Sequence, residues 1–168
     1  SELINNLNNF SSQVIHIKKK KTAKWKTSFN KKFKISKGIE TGWQLNEIEA
    51  TKKFKYDWFR NKISIKESLN FDKKKDFVIL PEIFAHLASD LLIKNKIKYA
   101  IFVQNGYSIN FTNNLKKLEL AYSKAEFILS YSSDISECIK LNFPKLKTEI
   151  IKIKYSIASN SIKKRIRK

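Results

Sequence analysis

Two stretches carry side chains whose types and spacing suit chemistry. Glu82 and His86 follow the apolar run Phe77 to Leu80. On an α-helix a separation of four residues sets a carboxylate and an imidazole on one face. Such a pair can orient a hydroxyl group or act as its general base, and Ser89 and Asp90 continue the same polar side. A plainer reading makes Glu82 a first-turn complement to the helix dipole and His86 a surface residue. The second stretch, Gln104-Asn105-Gly106-Tyr107, follows the run Tyr99 to Val103. Its two amides offer donors and acceptors suited to sugar hydroxyls, Gly106 allows a turn and Tyr107 presents a stacking face. Ser132 and Ser133 follow a third run, Phe127 to Leu129, as helix caps or as further hydroxyls of the same site.

Other chemistries find no support in the residue types. Cys138 is the only cysteine, which excludes an intrachain disulfide and a cysteine-ligated zinc site. His16 has no metal-ligand partner at useful spacing and reads as structural or solvent-facing. No glycine-rich phosphate loop or nucleophile elbow is present, which argues against a P-loop NTPase, a dinucleotide enzyme and an α/β-hydrolase. No metal and no resident cofactor is expected.

The elements that must position these residues form a repeating pattern. Continuous apolar runs at 77–80, 99–103 and 127–129 read as strands buried on both faces, hence as a parallel sheet covered by helices. Phe84, Leu87, Ala88 and Leu91 give the stripe of a first covering helix. Leu115, Leu118, Tyr122 and Ala125 give a second, capped by Thr112. Ser132 to Asp134 cap a third, with Glu137 completing a capping box and Phe143-Pro144 stopping it. Glu149 to Ile153 is a last, more alternating strand of edge character, and a short helix over 2–9, a strand over 14–17 and an extended piece at Ile63 and Ile65 precede the repeat. In strand–helix–strand units the strands run parallel, so the loops after 80, 103 and 130 share one sheet edge, the usual place for a ligand crevice. The expected fold is α/β, a Rossmann-like parallel sheet with helices on both faces in three layers. Residues 1–160 form one such domain, irregular over 18–66, and residues 161–168 form a charged tail or linker.

The chain has 168 residues and a formal net charge of +20. A charge of that size raises nucleic acid as a partner. Yet arginine occurs only at positions 60, 165 and 167, whereas phosphate and base readers lean on the guanidinium fork. Abundant Lys, Asn, Ile, Phe and Tyr beside scarce Gly, Pro, Arg and Met is a compositional bias that falls on any exposed position. Nucleic-acid binding is therefore the secondary reading, although Lys interleaves with Trp25, Phe29, Phe33, Trp43, Phe54, Tyr56, Trp58 and Phe59 as in a single-strand stacking platform. Aromatics at that density otherwise fill a core or cover a sheet edge. No apolar run approaches the roughly 20 residues of a spanning helix, and no signal-peptide core opens the chain. The expectation is a cytoplasmic protein with peripheral contact to a membrane surface at most.

Ile79-Leu-Pro-Glu82, Ile101-Phe-Val-Gln-Asn-Gly-Tyr107, the Ala121-Tyr122 pair before a strand ending in Ser130, and the Phe143-Pro144 stop together resemble the N-terminal domain of sugar-nucleotide-dependent glycosyltransferases of the GT-B fold. The resemblance covers roughly residues 68–160. It implies transfer of a sugar from a nucleotide-sugar donor, a co-substrate, to an acceptor hydroxyl across a cleft between two Rossmann-like domains. In that family the N-terminal domain mostly holds the acceptor, and a second domain mostly holds the donor. The chain departs from the family in lacking an opening strand with a glycine-rich loop, and no donor-binding domain follows within 168 residues. A noncatalytic Rossmann-like interaction module is the remaining alternative.

Overall fold

The computed structural model describes residues 10–20, 43–52, 64–109 and 114–154. Strands β5 (Phe77–Pro81), β6 (Lys98–Val103), β7 (Phe127–Ser130) and β8 (Ile150–Lys152) form a four-stranded sheet in the order β5-β6-β7-β8. Every neighbouring pair is parallel, with Leu80 opposite Ile101, Ile101 opposite Ile128 and Ile128 opposite Ile150. The fold is thus α/β around a parallel sheet. Ahead of it lie β1 (Gln13–Val14), β2 (Ile17–Lys19), β3 (Ile48–Ala50) and β4 (Ser64–Ile65), in which β1 pairs parallel with β4 and β2 pairs antiparallel with β3. The expected strand over 14–17 is therefore two strands that break at Ile15 and His16 and serve different partners.

Alternation along the strands sorts the sheet into unlike faces. Leu80, Tyr99, Ile101, Val103 and Ile128 point to one face, and all join the buried core with Ala85, Leu92, Leu118, Tyr122 and Ile139. Phe77, Ile79, Phe102, Phe127, Leu129 and Ile151 point to the other, and none of them belongs to that core. A strand order that follows chain order, with right-handed crossovers, sends every connecting helix to the same side. Helix α1 (Leu115–Lys124) accordingly packs on the helical segment that follows β5, and α2 (Ser133–Asn142) packs along β7 and β8.

The segment after β5 is helical as expected but not one α-helix. It is a 3₁₀ helix over Glu82–Leu87 that passes into a π-helical turn over Ser89–Ile93. It closes with Ile97 N–H on the Leu92 carbonyl and Lys96 N–H on the Ile93 carbonyl, and Lys96 takes φ 57°. That is a Schellman ending with a lysine where glycine is favoured. The cap expected from Thr112 lies outside the described residues; Asn114 Oδ1 accepts from Lys117 N–H and caps α1. Leu115, placed on the inner stripe by spacing, is exposed because it is the first helical residue. Ser132 rather than Asp134 caps α2, accepting from Ile135 N–H, and Glu137 is drawn instead to Lys140 at 2.8 Å. The expected amphipathic helix over 2–9, Ile63, and the aromatics Trp25, Phe29, Phe33, Phe54, Tyr56, Trp58 and Phe59 lie outside the described residues.

Candidate functional site

Because β5, β6 and β7 are parallel, the loops that leave them emerge at one edge of the sheet. Glu82, at the end of β5, is 5% exposed, and its carboxylate accepts from Gln104 N–H at 3.2 Å. The bond ties the loop after β6 to the loop after β5. In that loop Asn105 Oδ1 accepts from Tyr107 N–H at 2.9 Å and caps the short turn Gly106–Ser108. One side of the Asn105 amide is thus spent on the loop itself, and the Tyr107 ring is left 88% exposed. The Gln104 and Asn105 side chains are also exposed.

Gly106 has a different cause from the one its sequence context suggests. Its backbone does not occupy the left-handed region, yet a Cβ there would lie 2.8 Å from Cys138 Cβ and 2.9 Å from Cys138 Sγ. Glycine is needed because α2 presses on the loop. At the third loop Ser132 caps α2, and Ser133 Oγ accepts from Lys152 Nζ at 3.0 Å. Beneath them Ser136 Oγ donates to the Ser132 carbonyl at 3.0 Å. Its single proton is then spent, so buried Ser130 Oγ donates to Ser136 across their 2.8 Å contact.

The Glu82 and His86 side chains do not pair. A 3₁₀ helix has 3.0 residues per turn, so residues three apart eclipse and a residue four on is turned about a third of a revolution away. His86 is 3% exposed and its Nε2 lies 2.8 Å from the Trp43 carbonyl. A carbonyl only accepts, so Nε2 carries the proton. This histidine pins the 43–47 turn onto the helical segment, assisted by the Trp43 and Phe84 rings at 6.0 Å. It is neither on the surface nor turned toward the loops. Ser89 is buried, and Asp90 is bound by Lys117 at 2.6 Å and Lys94 at 3.4 Å. The lysines hold the Asp90 carboxyl below its ordinary range.

Tyr122 was visible in the sequence only as a core position. It is fully buried, its hydroxyl has no hydrogen-bond partner, and it stacks on Phe143 at 4.5 Å. Burial raises its phenol pKa, and the Glu82 carboxylate raises it further. Ser130, Ser136, Lys152 and Cys138 were also missed. A polar residue on the inward parity of β7 was the one available signal, since an inward serine at a strand end must find a partner.

Comparison with known proteins yields no matching family model, no matching curated protein and no matching solved structure. Open grooves of about 400 Å³, lined by Gln44, Leu45, Asn46, Asp90 and Lys94, and about 260 Å³, lined by Leu69, Asn70, Phe71, Lys73, Asn95 and Ile97, use none of the edge-loop residues. No cluster of three or more His, Cys, Asp or Glu among the described residues is placed to hold a metal, and no described helix is long and apolar enough to cross a membrane. Lys18 and Lys19 lie within β2 and face Glu49 at 3.0 Å and Glu47 at 4.0 Å, while staying half exposed. What the edge offers is an exposed set of amides, a hydroxyl, a cation and one ring.

Proposed function

We propose that this chain is the acceptor-side, Rossmann-like domain of a sugar-nucleotide-dependent glycosyltransferase. The observation that carries the reading is the Gln104–Tyr107 loop. It is fixed from below by Glu82 and from behind by Cys138, and it presents two amides and an exposed tyrosine at the sheet edge from which the Ser132–Ser133 loop also leaves. Sugars are bound by this chemistry: amides bond vicinal hydroxyls, and an aromatic face covers the C–H face of the ring. In this reading Gln104, Asn105 and Tyr107 hold the acceptor, with Ser132 and Ser133 bordering it. Glu82 acts as a positioning residue, because its carboxylate already accepts from the loop backbone. The general-base role considered for Glu82 and His86 gains no support from their burial and separate partners.

Transfer needs a donor held in register with the acceptor, and orienting both is a large part of the rate enhancement. The donor nucleotide sugar and its phosphates fall to a second Rossmann-like domain, and no resident cofactor is required. The protein works in the cytoplasm, with at most a peripheral contact to the membrane surface. The chain alone binds acceptor weakly and does not turn over.

The test is a titration of the isotopically labelled chain with a panel of mono- and disaccharides at millimolar concentration, read by amide and side-chain chemical shifts. Gln104, Asn105, Tyr107 and Ser133 should shift together for a subset of sugars, and Tyr107→Ala should abolish the response without changing the fold. No shift at these residues, or submicromolar sequence-specific nucleic-acid binding at physiological salt, overturns the proposal. Turnover of a nucleotide sugar by the chain alone refutes the assignment of the donor to a second domain.

A further inference from the structure

Parallel sheets are covered on both faces in folded proteins, because βαβ crossovers and their strands are too apolar to leave one face in water. Here the core occupies one face. The opposite face consists of Phe77, Ile79, Phe102, Phe127, Leu129 and Ile151, with Phe77 44%, Ile79 46% and Ile151 37% exposed. Lys98 is the one charged residue of these strands on that parity. The face has its own relief. Phe77 and Phe127 stack at 5.6 Å across the middle strand over fully buried Ala100, and Phe102 meets Tyr131 edge-on at 4.9 Å. None of these six residues belongs to the buried core.

Size and charge decide what could. Strands about 4.8 Å apart that rise about 3.3 Å per residue give four short strands a patch of roughly 300 Å². A stable dimer needs about 800 Å² per partner, and a second copy would bring together two chains of charge +20. A helix is about 10–12 Å across, so the patch accepts one or two laid side by side. Lys98 lies on the face, and exposed Lys73, Lys74 and Lys75 form the turn that leads into β5. We propose that the open face of the sheet docks an amphipathic helix of a partner protein, whose apolar stripe is flanked by aspartate and glutamate. This surface is distinct from the loop edge and does not depend on the sugar-transfer reading.

The test uses the full chain in a Cys138→Ala background with Ile79→Cys, labelled with a maleimide. The probe is a synthetic 18-residue helix with leucine at every third or fourth position and glutamate on its flanks. The introduced thiol should react quickly in the chain alone and at least tenfold more slowly with the probe bound. Without the cysteine, Ile79→Asp should weaken probe binding at least tenfold, whereas Leu141→Asp, at an exposed position away from this face, should leave it unchanged. A slow thiol in the chain alone shows that the chain already covers its own sheet, and a doubled solution mass lost on Ile79→Asp shows that a second copy does. Equal binding of a lysine-flanked probe, or protection by anionic vesicles and not by the probe, removes the acidic helix. Any of these results overturns the proposal.

Discussion

Replacing Gly106 with alanine tests how the candidate site is held. The added Cβ would sit 2.8 Å from Cys138 Cβ and 2.9 Å from its Sγ. Nonbonded carbon atoms settle at about 3.5–4.0 Å, so the loop and α2 must part by about 0.7–1.2 Å. Neither is free to move. The loop is tied by the Gln104–Glu82 bond, and α2 is fixed by its Ser132 cap and the Ser136–Ser130 contact. Overpacking of this kind costs about 1–3 kcal/mol. With a urea slope of roughly 1–3 kcal/mol per molar, the midpoint should fall by about 1 M. Cys138→Gly removes the colliding atoms at a helix penalty of about 0.3–0.5 kcal/mol, glycine being only slightly poorer than cysteine in a helix. The double variant should therefore lose less than the sum of the single losses, by about 1–2 kcal/mol. Gly106→Ala within about 0.5 kcal/mol of the parent, or strictly additive losses, would show that this contact does not fix the loop.

Three further outcomes follow from single groups. Lys96→Gly should raise the urea midpoint, because a side chain at φ 57° costs about 1 kcal/mol that glycine does not incur; an unchanged midpoint refutes the strain. Tyr122→Phe removes a buried hydroxyl that has no partner and should leave stability equal or higher by up to about 1 kcal/mol, whereas a loss larger than that means the hydroxyl is bonded. The Asp76 carboxyl is lowered by the Asp72 backbone N–H and then Lys66, and that of Asp90 by Lys117. Groups whose folded pKa lies below the unfolded value stabilise the fold when ionised. Their contribution is complete above about pH 5 and is lost as pH falls through the folded values, from an unfolded value near 3.9. Urea midpoints should therefore hold from neutral pH down to about 5 and fall below it. The fall should be shallower in Asp90→Asn; an equal fall assigns the loss to other groups.

The parallel sheet was legible because uninterrupted apolar runs of strand length alternate with helical stripes, and that pattern has few solutions. Its second face was not. Phe77 and Ile79 read as buried on both sides of β5, but an apolar run records only that a face avoids water, and it does not name the cover. The site failed differently. Spacing by four paired Glu82 with His86 on the assumption of an α-helix, and a 3₁₀ turn shifts that pairing. Pro81 at the boundary, with φ −67°, gave no sign of which helix would follow. The Gln104–Tyr107 loop drew attention because two amides, a glycine and a tyrosine stand together at a strand end, and in the structure Asn105 caps the turn while Gly106 makes room for Cys138. The reason for Gly106 lay in Cys138, 32 residues away along the chain, a separation that local turn chemistry cannot report.

Strand order that equals chain order also governs how the molecule can be built. Within the four-stranded sheet each strand pairs with the next one to appear, so none of its strands must wait for a distant segment before its hydrogen bonds close. Loop-closure cost stays small at every step, and the average sequence separation within the sheet is short for a parallel architecture. A chain emerging from the ribosome can lay β6 on β5, then β7 on β6, then β8 on β7, with α1 and α2 settling on the same side as they appear. The apolar face with Phe77 and Phe127 begins to form early in that sequence. Its two stacked rings, from β5 and β7, are both in place before β8 has been made.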